Sequence, residues 1–296
     1  MAIVDLKKRL QVTEEQQIEI EVNTRGQSDN ELWQEYRKNR ITASIAHSIS
    51  ALRRTTDNTS TINKYFGRNQ FTKLQPLMEY GRQHENTAVD AYEVVKGLQR
   101  GTVRKCGLFV SLENGIFAAS PDGLLGDDGL LEVKCPPSIK DIDPKEWPNV
   151  NPKQSYIVQK NGELQLRRKH QYYYQVVMQI YVTNRQWCDF FVWTPKGHYL
   201  ERISRDSSTD KLWKEMKMNM EFFWDNDLAP ELVDSRFDRG YKEYRYPITR
   251  KNAVDKKKTA KTAPVAIMDD NAASTSSAQA VHVIKKTAAS RKRKAQ

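Results

Sequence analysis

With 296 residues, the chain is long enough for one large domain or two small ones. A hydrophobic content of 38% and a mean hydropathy of −0.76 are low for a wholly folded protein, and no apolar run approaches a membrane span, so no membrane association is expected. The formal net charge of +11 is unevenly spread: residues 251–296 hold eleven of the 48 Lys and Arg but only three of the 37 Asp and Glu.

Residues 1–10 carry charges throughout and lack an apolar h-region, which argues against a secretory signal. Residues 1–28 read as a peripheral segment, because positions 1–25 are polar and show no clear core face. The spacing of Leu32, Trp33 and Tyr36 predicts a helix over 29–38. Thr42 has N-cap chemistry and opens a second helix carrying Ile45, Ile49 and Leu52. Residues 53–70 are polar and turn-rich, a surface loop with a short helix over 61–66. Leu77, Tyr80, His84, Ala88, Ala91, Tyr92 and Val95 repeat at helical spacing and predict a long helix over 77–96. Strands are expected over 103–111, 117–120 and 130–135, then an excursion over 137–163 containing Pro and Asn. A buried helix over 170–181, strands over 188–194 and 198–204, and an amphipathic helix over 210–225 complete the series. This order predicts an α/β fold, a mixed central sheet flanked by helices, within residues 29–250.

Cys106, Cys135 and Cys188 lack CxxC spacing. A zinc site or disulfide framework is not expected, and a reducing intracellular location fits. All six Trp precede residue 251, and 251–296 has no aromatic residue and is rich in Ala, Ser, Thr and Lys. Such a segment cannot bury enough apolar surface to fold and reads as a disordered basic tail. The rest of the chain is close to neutral, so any nucleic-acid groove on it is a local patch.

Residues 120–136 read Ser-Pro-Asp-Gly-Leu-Leu-Gly-Asp-Asp-Gly-Leu-Leu-Glu-Val-Lys-Cys-Pro. In a strand, side chains alternate faces, so Glu132 and Lys134 point one way and Val133 into the core. Gly123, Gly126 and Gly129 supply turns that let the chain reverse, which brings Asp122 to the same point. Two hard anionic oxygens bind Mg²⁺ or Mn²⁺, and a nearby ammonium can orient or deprotonate a water, the pattern of a metal-dependent nuclease. The plainer reading is an Asp-Gly turn beside an amphipathic strand. Glu85 lies on the helix before the first strand, where a solvated carboxylate is the ordinary outcome; with the hairpin it would supply a third carboxylate. Tyr172 and Gln175 stand three apart on one helix face, with core packing and a surface amide as their plain readings. Arg37 and Ser44 flank a helix start, a good phosphate site, or else a surface arginine and an N-cap.

Taken together, Trp33, Arg37, Ile41-Thr-Ala-Ser44, Gly81-Arg-Gln-His-Glu85, Ser120-Pro-Asp122-Gly, Leu131-Glu132-Val-Lys134-Cys-Pro and Tyr172-Tyr-Tyr-Gln175 resemble the YqaJ/phage lambda-type alkaline exonuclease family of the PD-(D/E)xK nuclease superfamily. The motifs occur in the family's order over about residues 30–225. The resemblance implies a restriction-endonuclease-like fold and metal coordination by Glu85, Asp122, Glu132 and the carbonyl of Val133. It implies that Lys134 positions the attacking water, that Gln175 and Tyr172 support the site, and that Arg37 and Ser44 grip a DNA 5′-phosphate. The function expected is a 5′→3′ exonuclease on double-stranded DNA ends. It would use two Mg²⁺ ions, with Mn²⁺ as a substitute, and serve recombination, repair or viral and mobile-element replication. A structure- or nick-directed endonuclease of the same fold and a catalytically inactive DNA-binding protein are the alternatives. Candidate partners beyond DNA are a single-strand annealing protein and further copies of the chain. The clusters Lys256-Lys257-Lys258 and Arg291-Lys292-Arg293-Lys294 suit nuclear import or phosphate contact, so a nuclear location is expected, and a cytoplasmic one without them.

Overall fold

The computed structural model of the chain describes residues 2–55, 57–68, 75–241 and 244. Helices α1 (Ala2–Leu10), α2 (Glu14–Asn23) and α3 (Glu31–Arg37) precede a two-residue strand β1 (Ile41–Thr42) and the short helices α4 (Ala46–Ser50) and α5 (Thr59–Tyr65). The long helix α6 (Gln75–Val95) leads into β2 (Phe109–Val110), β3 (Phe117–Ala119), β4 (Gly123–Leu125) and β5 (Gly129–Lys134). Next come α7 (Trp147–Val150), the strands β6 (Ile157–Lys160) and β7 (Glu163–Leu166), and α8 (Gln171–Val182). Strands β8 (Trp187–Thr194) and β9 (Gly197–Ser204) are followed by α9 (Ser207–Phe223), a π-helical turn and α10 (Ala229–Val233).

The central sheet has the order β4-β5-β8-β9. Its middle pair, β5 and β8, is parallel and the outer pairs are antiparallel, so the sheet is mixed, as the element order predicts. The parallel pair needs a crossover, and α8 supplies it. Strand β5 is covered on both faces, which is why it reads as a nearly continuous apolar run interrupted by Glu132. On one face, Ala88 and Tyr92 of α6 pack on Leu131, Val133 and Phe191. Leu130, Phe190 and Val192 belong instead to the main core with Val176, Val177 and Ile180 of α8. A smaller sheet, β1-β3-β2, lies alongside.

Four elements differ from expectation. Residues 1–25 are not without a core face: they form two helices, and Leu6 and Leu10 join the main core. The contacts that hold them are long-range, with the Arg40 guanidinium donating to the Leu10 carbonyl at 3.1 Å and a glycine at 115 that lets the two backbones touch. The strand expected over 103–111 is only two residues long, because Gly107 and Leu108 donate their amides to the side chains of Glu21 and Thr24 on α2 instead of to a strand. Thr42 ends β1, paired with Ala118, and stands at the N-cap position of a 3₁₀ turn, Ala43–Ile45, that leads into α4, but its side chain makes no capping bond. The excursion over 137–163 holds α7 and the β6–β7 hairpin, closed by Asn161-Gly162, both with positive φ. That dipeptide is a hairpin-turn signal visible in the sequence.

Candidate active site

The β4–β5 hairpin builds the centre of the site. Gly126, with φ of 53°, makes the reversal, and Leu125 pairs with Gly129 across it. The Asp122 amide extends the ladder to the Leu131 carbonyl at 3.0 Å, and its Oδ2 accepts from the Val133 amide at 2.7 Å. Asp122 is thereby fixed over β5 beside Glu132 and Lys134. The alternation of the strand puts the last two on one face, where the Lys134 ammonium donates to Glu132 Oε1 and, at 3.1 Å, to the Val133 carbonyl.

Helix α8 closes this face. Gln175 Nε2 donates to Glu132 Oε1 at 2.5 Å and Gln179 Nε2 to Oε2 at 2.6 Å, so both oxygens of a carboxylate only 1% exposed are held. Gln179 is absent from the sequence-based set. The signal for it was the spacing: it lies four residues after Gln175, on the same face of the helix. The ring of Tyr172 lies 5.0 Å from Lys134 Nζ. His170 caps α8 by accepting the Tyr172 amide at 3.3 Å, and burial pushes its pKa down to about 4, which keeps the imidazole neutral and able to accept.

Glu85 reaches the site from α6 and lines the same two clefts as Asp122. Burial, then the Glu132 charge, raises the Glu85 carboxyl above its ordinary value, against the pull of Lys134 and Lys105. Burial likewise raises Asp122 strongly, with Glu132 and Glu85 adding repulsion. Burial opposes the Lys134 ammonium, but the Glu132 and Asp122 carboxylates outweigh it and raise its pKa, so it is charged at neutral pH. The electrostatic state is therefore three crowded carboxyls around one cation.

Among the described residues, no three His, Cys, Asp or Glu side chains gather closely enough to hold a metal ion. Both oxygens of Glu132 are already taken by Lys134, Gln175 and Gln179. The donor chemistry nevertheless suits a hard divalent cation: Glu85, Asp122 and the Val133 carbonyl offer oxygen only, and mutual repulsion of the carboxyls favours a cation between them.

Arg37 and Ser44 are not brought together by a hydrogen bond. Ser44 is exposed and lies 3.3 Å from the Thr42 hydroxyl. The Arg37 guanidinium stacks 3.8 Å over the Trp33 ring, and Trp33 Nε1 donates to the Ser120 hydroxyl at 2.8 Å, two residues before Asp122. Burial holds the Arg37 pKa down to about 10, so it remains a cation at neutral pH.

Comparisons with known proteins bear on the whole arrangement. The chain is 30% identical over 196 residues to an alkaline nuclease of Orgyia pseudotsugata multicapsid polyhedrosis virus, a match covering 61% of this chain and 44% of that protein. It is 28% identical over 206 residues to the alkaline nuclease of Autographa californica nuclear polyhedrosis virus, covering 64% and 45%. It thus spans under half the length of these relatives. Among solved structures, it is similar to the alkaline exonuclease of Laribacter hongkongensis, at 24% identity and a TM-score of 0.49, over 71% of this chain and 96% of that one. The family model described as a YqaJ-like viral recombinase domain matches residues 32–186, from the helix carrying Arg37 through the hairpin to the end of α8. The chain belongs to that family of YqaJ-like viral recombinase domains.

Proposed function

We propose that the chain is a metal-dependent deoxyribonuclease that degrades double-stranded DNA from its ends in the 5′→3′ direction, in a recombination, repair or viral replication role. The observation that carries this reading is the joining of Asp122 to the Val133 amide and of Lys134 to Glu132 on one hairpin, within a chain of this family. Glu85, Asp122 and the Val133 carbonyl would hold Mg²⁺, with a place for a second ion and for Mn²⁺, and Glu132 would join them where Lys134 and the amides release an oxygen. When bound, the cation supplies Lewis-acid stabilisation of the transferring phosphate.

The chain's own residues do the rest. Lys134 holds a positive charge at the face where a pentavalent phosphate gathers negative charge and orients a water toward it. Gln175 and Gln179 hold the Glu132 carboxylate in place, and the Tyr172 ring, 5.0 Å from the ammonium, favours its positive charge. Arg37, stacked on Trp33, receives the 5′-phosphate of a DNA end, with Ser44 as a second donor. Residues 29–250 form the nuclease unit, the basic clusters after residue 251 direct nuclear import, and other copies of the chain or an annealing protein are its protein partners. The test is release of 5′-mononucleotides from linear duplex, stopped by a chelator, and its loss in Asp122→Asn with DNA binding kept. Hydrolysis that persists in Asp122→Asn contradicts the reading.

A further inference from the structure

Two clefts meet at Glu85 and Asp122. One, of about 1240 Å³, contains Lys134 and Tyr172. The other, of about 780 Å³, is lined by four cations: Arg25, Arg82, Arg100 and Lys105. Three of these are already held by carboxylates, Arg25 by Glu21 at 2.8 Å, Arg82 by Glu79 at 2.5 Å and Arg100 by Asp90 at 3.0 Å. Lys105 is exposed and makes no ion pair or hydrogen bond among the described residues.

The backbone on both sides of Lys105 is tied to the residues flanking Asp122. Arg104 exchanges two backbone hydrogen bonds with Leu124, at 3.0 and 2.9 Å. Val103 lies so close to Gly123 that a Cβ there would meet its Cγ1 at 2.3 Å. On the other side, Gln27 Nε2 donates to both the Cys106 carbonyl at 2.9 Å and the Pro121 carbonyl at 3.0 Å. Gln27 does this with φ of 45°, a left-handed backbone that a non-glycine residue adopts at a cost. A strained residue thus staples the Lys105 segment to the strand entrance of Asp122. The backbone that carries Lys105 is fixed beside these carboxyls, and its ammonium, pairing with none of them, is available to an anion that enters the cleft.

We propose that Lys105 is a substrate-binding residue: it grips a backbone phosphate of the cleaved DNA strand in the cleft that adjoins Glu85 and Asp122 and does not contain Lys134, and Gln27 positions it there. The proposal rests on the nuclease reading and adds a phosphate contact to it. A lysine suits this role because it contacts a phosphate as a compact point charge without needing bidentate geometry.

The test uses the full chain and linear duplex DNA. Binding is measured in a chelator over a salt series, and turnover in Mg²⁺. Lys105→Ala should lower the slope of log affinity against log salt by about 0.9, the value of one phosphate contact on duplex DNA. It should raise KM by a larger factor than it lowers kcat, and Lys105→Arg should restore the slope. Gln27→Ala should move KM in the same direction by less. Inhibition by a free 5′-mononucleotide should be unchanged in Lys105→Ala. An unchanged salt slope overturns the proposal, and so does a loss of mononucleotide inhibition, which would make the cleft a product site. Wild-type protein that neither binds nor cuts DNA would instead defeat the nuclease reading itself.

Discussion

At the residue scale, the carboxylates of the hairpin differ in what holds them, and that difference sets how each responds to removal. Glu132 is the acceptor for a cation and two amides, so Glu132→Ala strips a largely buried ammonium of its ion-pair partner and leaves two amides unpaired, and should cost about 3 kcal/mol of stability, measured by denaturant unfolding. Asp122→Ala relieves a desolvated carboxyl in a crowded site but frees the Val133 amide, so it should cost less than Glu132→Ala, while cleavage is lost in both. An Asp122→Ala protein as destabilised as Glu132→Ala would contradict this electrostatic picture. Lys134→Ala should lower turnover by roughly two or more orders of magnitude at saturating DNA. A carboxyl whose pKa is raised by folding favours the folded state most below its ordinary value, 3.8 for Asp122 and 4.5 for Glu85, and that preference is lost as pH climbs through the folded values. The raised pKa of Lys134 contributes evenly below 10.5 and does not alter the trend. Metal-free protein should therefore lose melting temperature as pH rises above about 4, Asp122→Asn should flatten the slope, and added Mg²⁺ should stabilise more at higher pH. The types and spacing of Asp122, Glu132 and Lys134 were legible in the sequence because strand alternation fixes which side chains share a face. The Gln179 clamp was not singled out, because a lone buried amide looks like any helix-face glutamine until its carboxylate partner is placed opposite.

At the scale of elements, α6 and the central sheet are locked by a buried network that no short-range pattern announces. Asp189 on β8 accepts from Arg202 at 2.7 and 2.9 Å and from the Tyr92 hydroxyl at 2.7 Å, and Arg202 stacks 3.5 Å over Trp187. This bond pins α6, two turns after Glu85, to the strand that pairs with β5. Tyr92→Phe should cost about 1.5–3 kcal/mol, the range for a hydrogen bond to a charged group, and weaken Mg²⁺ binding read by calorimetry. Unaltered stability would show that packing alone holds the helix. The long helix and the strands β5, β8 and β9 were readable from periodicity, since each buries a regular face. The role of α1 and α2 was not, because only Leu6, Leu10 and Ile20 are buried apolar residues there and their cover comes from residues far along the chain. Deleting residues 2–10 should accordingly lower the melting temperature, rather than leave it unchanged as a peripheral segment would.

At the scale of the whole molecule, the described residues form a mixed sheet flanked by α6 and α8, with Glu85 and Asp122 facing two clefts. No helix among them is long and apolar enough to cross a membrane, and the three cysteines are free and buried. The fold class was legible because the order of elements allows few other layerings; the β6–β7 hairpin was passed over although Asn161-Gly162 marked its turn. The basic tail expected over 251–296 lies outside the described residues. Its deletion should leave thermal stability and metal-dependent turnover nearly intact, weaken DNA binding mainly at low salt, and reduce nuclear accumulation of a fluorescent fusion. Under the proposed function, hydrolysis from DNA ends is carried out by the Asp122–Glu132–Lys134 hairpin. It is tested most directly by incubating the protein with Mg²⁺ and equal amounts of linear duplex carrying a 5′-phosphate, linear duplex carrying a 5′-hydroxyl, and covalently closed circular duplex. The phosphorylated linear DNA should disappear fastest, the hydroxyl form more slowly, and the circle not at all, with both linear activities lowered by roughly two or more orders of magnitude in Lys134→Ala. Nicking of the closed circle at a rate comparable to linear degradation, or full activity in Lys134→Ala, would contradict it.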